Sequence, residues 1–155
     1  MDKRFAAIVE ELDASFHQLL EMRPSKPLAL PREAPQAGIY LLSEDEKYLY
    51  VGRSNRIRKR ISNHCRASAT YKMAAFAFRL ARESTGQMKA TYKPEGSRGD
   101  LMKSPTFVAA FETAKGRIRD MDVRFVAEAE PVRQAVLEIY VAVVLGTPYN
   151  DFDTH

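Results

Sequence analysis

Two tyrosines, a run of arginines, one histidine and one late glutamate are the residues of this chain whose types and spacing point to chemistry. Tyr40 and Tyr50 stand in the tripeptides Gly38–Ile39–Tyr40 and Tyr50–Val51–Gly52. From Arg53 to Arg66 the chain carries no acidic residue. Arg56, Arg60 and His64 recur every fourth residue, on one face of a helix, and Arg58 and Lys59 add charge beside them. Such a stripe suits phosphate, because guanidinium groups bind its oxygens through paired, charge-assisted hydrogen bonds. The plainer alternatives are a solvated surface helix and a strand-borne tyrosine pair that serves only for packing.

Glu138 is the only charge in the stretch Ala135–Leu145. An ionised carboxylate in an apolar helix is costly unless it is paired or binds a metal. An arginine partner, a divalent cation and a solvent-facing position are the three readings. One carboxylate is sparse for a metal site but suits magnesium, which keeps several waters and takes further oxygens from substrate phosphates.

The elements that must position these residues follow from pattern. Gly38–Ser43 and Tyr48–Gly52 flank a polar turn, Glu44–Lys47, and predict a β-hairpin. Alternation puts Tyr40 on a face with Leu42, and Tyr48 on a face with Tyr50. A suitable register sets Tyr40 beside Tyr50. Gly52 reads as the end of the strand, where the backbone bends or a ligand comes close. Ser54 or Asn55 then caps a helix whose Ile57 and Ile61 face the sheet.

Upstream, Phe5, Val9, Leu12, Phe16, Leu19 and Leu20 predict an amphipathic helix from Asp2 to Glu21, with His17 on its polar edge. Pro24, Pro27, Pro31 and Pro35 make an extended connector. Downstream, Met73, Phe76, Ala77 and Leu80 mark a helix that stops near Glu83–Gly86. Gln87–Lys103 reads as a basic loop with Pro94, Gly96 and Gly99 and the cations Lys89, Lys93, Arg98 and Lys103. Ser104–Pro105 starts a helix carrying Phe107, Phe111, Ala114 and Ile118. Met121–Ala127 alternates as a third strand, and Pro131 opens a last helix running to about Leu145. That helix is apolar nearly all round and is expected to be buried against more than one neighbour.

A chain of 155 residues favours one domain with a sizeable core. With 45% hydrophobic and 28% charged residues it has the composition of a soluble globular protein. The net charge of +4 is compatible with an anionic partner without requiring one. The single cysteine, Cys65, excludes an internal disulfide framework and a thiolate zinc cluster. No apolar run is long enough for a membrane span, and Glu10, Glu11 and Asp13 break the N-terminal segment, so no signal peptide is expected. A cytoplasmic location is the default expectation.

Together these residues resemble the GIY-YIG nuclease family. Gly38–Ile39–Tyr40 matches the first signature, and Tyr50–Val51–Gly52 is similar to the second with valine for isoleucine. Arg60 falls where members carry their catalytic arginine. Arg53 and His64 fall at positions that are basic, or histidine or tyrosine, in some members. Glu138 lies in the late helix that carries the family's metal-binding glutamate, and Asn150 closes a Tyr–Asn ending. The resemblance covers roughly residues 38–150, interrupted by an insertion near 67–116.

The resemblance implies an α+β fold, a small central antiparallel three-stranded sheet flanked by helices. To it are added an N-terminal helix and connector over 1–36 and a helical insertion within a nuclease domain at 37–155. It implies metal-dependent hydrolysis of DNA phosphodiester bonds. Glu138 would hold magnesium or manganese, and Tyr40 would act as general base. Arg60 would stabilise the transition state, while Tyr50, His64, Arg53 and Asn150 complete the catalytic set. Arg53, Arg56, Arg58, Lys59 and Arg66 are expected on the nucleic acid. Tyr40 needs cationic neighbours to act near neutrality, and Arg53 and Arg60 are the candidates to supply them. The alternatives are a nucleic-acid-binding module without catalysis and a protein-interaction domain. A homodimer or a targeting partner protein is a further expectation.

Overall fold

A computed structural model describes residues 1–87 and 97–152. The chain forms two compact units, one of Met1–Arg60 with Met121–His155 and one of Ile61–Asp120.

The first unit is built on an antiparallel sheet of β1 (Gly38–Glu44), β2 (Lys47–Ser54) and β3 (Asp122–Ala127) in the order β2–β1–β3. β1 is central and buried along most of its length, as its apolar run Ile39–Leu42 requires. Helix α1 (Lys3–Glu21) starts on an Asp2 cap whose carboxylate accepts from the Arg4 and Phe5 amides. Helix α6 (Pro131–Leu145) has Pro131 in its first turn and is capped by Glu130. Leu12, Phe16 and Leu19 of α1 and Leu137, Val141 and Ala142 of α6 pack with Ile39, Leu41, Val51 and Val126 on one face of the sheet. Tyr40 and Leu42 project to the other face.

α6 is less buried than its sequence suggests. Val132, Ile139, Val143 and Val144 are exposed, so only one face of this apolar helix is covered. No described helix is long and apolar enough to cross a membrane.

The hairpin pairing also departs from simple alternation. The register shifts between Leu42 and Ser43, setting Tyr50 opposite Leu42 and Tyr48 opposite Ser43. This irregularity puts Tyr48 against the α1–α6 core, while Tyr50 joins Tyr40 on the opposite face. Sharing of one face by Tyr48 and Tyr50, expected from period two, is thereby overturned.

Helix α2 (Ile57–Cys65) follows β2 and leads into the second unit. There α3 (Ala75–Thr85) and α5 (Pro105–Arg119) pack through Phe78, whose ring lies 5.0 Å from Phe107 and 6.2 Å from Phe111. Gly86 ends α3 in the left-handed conformation, and the Ser104 hydroxyl caps α5. Lys115 is buried, with its ammonium 2.8 and 3.0 Å from the carbonyls of Ala67 and Ala69 and 2.9 Å from Glu112. Arg119 donates to the Cys65 carbonyl at 2.6 Å. Burial pushes the Cys65 thiol up to about 11, in keeping with a packing role. The segment read as a loop over 87–103 contains a helical turn, α4 (Arg98–Leu101), capped by Ser97. Lys89, Lys93, Pro94 and Gly96 lie outside the described residues.

Candidate active site

β1 and β2 set the two phenols. Tyr40 pairs with Gly52 across the ladder and lies diagonal to Tyr50, with ring centroids 6.3 Å apart. Gly52 is therefore not a strand end. It lies within β2, and what comes close to it is the Tyr40 ring. A Cβ at Gly52 would fall inside van der Waals contact with the Tyr40 hydroxyl and ring carbons. Gly38 serves similarly, since a Cβ there would strike the Val126 carbonyl on β3. Gly52→Ala is expected to displace Tyr40 and cost about 1–3 kcal/mol of stability, measurable by urea unfolding.

Tyr40 is fully buried. Its hydroxyl interacts with the side chains of Tyr50 and Arg60, the latter reaching it from α2. A guanidinium has donors only, so the Tyr40 oxygen accepts from Arg60, and the two phenols share a hydrogen bond. Desolvation, with Tyr50 beside it, raises the Tyr40 pKa well above the usual value, and Arg60 only partly offsets this. The cationic field expected to bring Tyr40 toward neutrality is thus outweighed by burial. In this state Tyr40 is a protonated phenol.

The carboxylate is found on the other face. Arg53 pairs with Ile39 and shares the α6-covered side of β2 with Val51. Its Nε lies 3.2 Å from Oε2 of Glu138. The Glu138 side chain keeps 22% of its surface accessible, and burial raises its pKa against the lowering effect of Arg53. Tyr40, Tyr50 and Arg60 thus form one group and Arg53 with Glu138 another, on opposite faces of β2. Tyr50 of the first group and Arg53 of the second are both carried by β2, an edge strand of the sheet.

Asn150 covers part of that edge. Its side-chain oxygen Oδ1 accepts from the Val51 amide at 2.9 Å and its side-chain Nδ2 donates to the Val51 carbonyl at 2.7 Å, in place of a neighbouring strand. Thr147 donates to the same Asn150 oxygen at 2.7 Å, and the Tyr149 amide donates to Leu49. Asn150 is therefore occupied in holding β2 and is not a spare metal ligand. Asn150→Ala would leave both Val51 groups unmatched and is expected to cost about 1–3 kcal/mol, again by urea unfolding.

The other basic residues divide. Arg56 and Lys59 are exposed. Arg58, expected on nucleic acid, instead donates to the carbonyls of Leu30 and Pro31 at 3.2 and 2.7 Å, which anchors the proline-rich connector. His64 is buried and meets Phe76 edge-on with centroids 6.3 Å apart, so it does not continue an exposed cationic stripe. Arg66 is half-buried and reaches the Met73 sulfur at 3.7 Å.

Gln134 has a positioning role that pattern reading missed. Buried in the first turn of α6, it donates to the Glu128 carbonyl at 2.6 Å and to Asn55 at 3.0 Å, which ties the approach to α2. The only signal in sequence was an amide beside apolar neighbours.

Among the described residues no group of three or more histidine, cysteine, aspartate or glutamate side chains gathers to hold a metal. A thiolate or imidazole site is not what these residues build. A single, partly accessible carboxylate with one oxygen on an arginine fits a hard, largely hydrated cation instead.

A family model described as the GIY-YIG catalytic domain matches residues 36–93. No curated protein and no solved structure matches the chain. The matched segment contains Tyr40, Tyr50, Arg53 and Arg60, whereas Glu138 and Asn150 lie beyond it.

Proposed function

We propose, from the match of residues 36–93 to the model of the GIY-YIG catalytic domain, that the protein is a metal-dependent endonuclease hydrolysing DNA phosphodiester bonds. The observation that carries this reading is the meeting of Tyr40, Tyr50 and Arg60, from three separate elements, with Tyr50 on the same strand, β2, as the Arg53 that pairs with Glu138.

Glu138 is the residue we assign to magnesium or manganese. Bound there, the ion would supply charge neutralisation at the phosphate and a water of lowered pKa. Arg53, Arg56 and Lys59 contribute cationic contacts to the backbone of the nucleic acid. Arg60 stabilises negative charge that develops at the phosphate and at the phenols. The phenol pair handles the proton of the attacking water. The resemblance implies Tyr40 as the base, but Tyr40 is fully buried and already hydrogen-bonded to Tyr50 and Arg60. We therefore assign the base to the phenolate form of the half-buried Tyr50, which gives its own proton to solvent before it takes one from the attacking water, and the supporting hydrogen-bond donor to Tyr40. Asn150 acts behind the site, through its hold on β2.

The test is a panel of supercoiled, linear duplex, branched and single-stranded DNA with magnesium, manganese, cobalt and nickel. Wild type and Glu138→Ala are compared side by side. Cutting that requires the metal and Glu138 supports the reading. Salt-sensitive DNA binding without cutting under any metal would replace it with a non-catalytic binding module.

A further inference from the structure

We propose that Arg53 exchanges partners: it holds Glu138 in the metal-free protein and turns to a substrate phosphate once a divalent cation takes the carboxylate. Cation and DNA then each strengthen the binding of the other. This rests on the metal site proposed above and adds a coupling that the metal site alone does not require.

The geometry supplies the parts. One guanidinium faces one carboxylate at 3.2 Å, and neither side chain has another ion-pair partner among the described residues. The Arg53 backbone is fixed by its ladder pairing with Ile39, next to Gly52, which Tyr40 packs across. Exchange is then a side-chain movement that leaves the sheet unchanged. Arg53 keeps 45% of its side-chain surface accessible, so it has room to turn, whereas Glu138 at 22% is held on α6. A divalent cation competes for the carboxylate with twice the charge of a guanidinium. A released arginine is suited to phosphate, because its planar fork matches two oxygens at once. Reciprocity follows from linkage: if the cation frees Arg53 for DNA, DNA held by Arg53 frees Glu138 for the cation.

The experiment uses the full chain. Manganese binding without DNA is measured by titration calorimetry. Binding of a short duplex is measured by fluorescence anisotropy with and without calcium. Wild type, Arg53→Gln, Arg53→Lys and Glu138→Gln are compared. Wild-type duplex affinity is expected to rise about tenfold with the cation, within the usual range of such coupling. In Arg53→Gln that factor is expected to fall several-fold, to the part supplied by direct contact of the cation with the phosphate, while manganese binds several-fold more tightly in the absence of DNA. Arg53→Lys is expected to restore part of the coupling. If manganese binds in a Glu138-dependent way but Arg53→Gln leaves its affinity and the coupling factor as in wild type, the exchange is overturned and the metal site stands. If manganese binding is the same in Glu138→Gln as in wild type, metal site and exchange fall together.

Discussion

Glutamine in place of Glu138 is expected to abolish calorimetric manganese binding and to lower the single-turnover rate of plasmid nicking by about a thousandfold or more. A metal ion contributes several kcal/mol to charge stabilisation in a transition state, and each 1.4 kcal/mol is about tenfold in rate. Glutamine keeps the shape of the side chain but presents no anionic oxygen. It also leaves Arg53 without its carboxylate, but Arg53 is nearly half-exposed and remains solvated. Thermal unfolding of the variant is accordingly expected to stay close to wild type, with a change of about 1 kcal/mol or less. Loss of activity with intact folding therefore locates the defect in the site. Undiminished manganese-dependent nicking by Glu138→Gln would remove Glu138 from the chemistry.

The phenols give the second large effect. Tyr50→Phe is expected to slow single-turnover cleavage by about a hundredfold to ten-thousandfold, the usual contribution of a positioned acid or base. Tyr40→Phe is expected to have a smaller but clear effect, because it removes the donor behind Tyr50 and the acceptor that Arg60 uses. The order of the two variants is the informative quantity. A larger loss in Tyr40→Phe would make Tyr40 the proton acceptor, despite its burial and its raised pKa.

The elements of this fold are legible in the sequence wherever local pattern and packing agree. The apolar spacing of α1, the Ser104–Pro105 start of α5, the stop of α3 near Gly86 and the end of α6 at about Leu145 reappear in the structure at or within a residue of their expected places. The three antiparallel strands are legible too, from Gly38, the charged turn and the alternation of β3. What the pattern could not reveal depends on irregularity or on long-range partners. The register shift at Leu42/Ser43 separates Tyr48 from Tyr50, and no period-two reading contains it. Gly52 looked like a terminus because a glycine in a strand has several explanations. Only the Tyr40 ring lying across it selects one.

The same holds for the basic run. Arg56, Arg58, Lys59 and Arg66 look alike as charges. Which of them is committed to protein carbonyls is decided by the connector at Leu30–Pro31, far away in sequence. The stride of four that put His64 in line with Arg60 describes the helix correctly, yet His64 is buried where Arg56 is exposed. Glu138 stood out because it is charged in an apolar helix. Both an arginine partner and a cation were consistent with that, and the pairing with Arg53 gives the first without removing the second. The exposed valines of α6 show the limit of composition: an apolar sequence states what can be buried, and the neighbouring elements decide how much is.

Two groups on opposite faces of an edge strand act as one centre only if the substrate reaches both. The most direct measurement is a crystal structure of the protein with manganese and a duplex whose scissile linkage resists hydrolysis. The expected result is an anomalous peak on the Glu138 carboxylate, with the phosphate at the β2 edge between that ion and the Tyr50 hydroxyl and with Arg53 turned away from Glu138. A manganese ion bound without Glu138, or a phosphate out of reach of Tyr50, would contradict a shared centre.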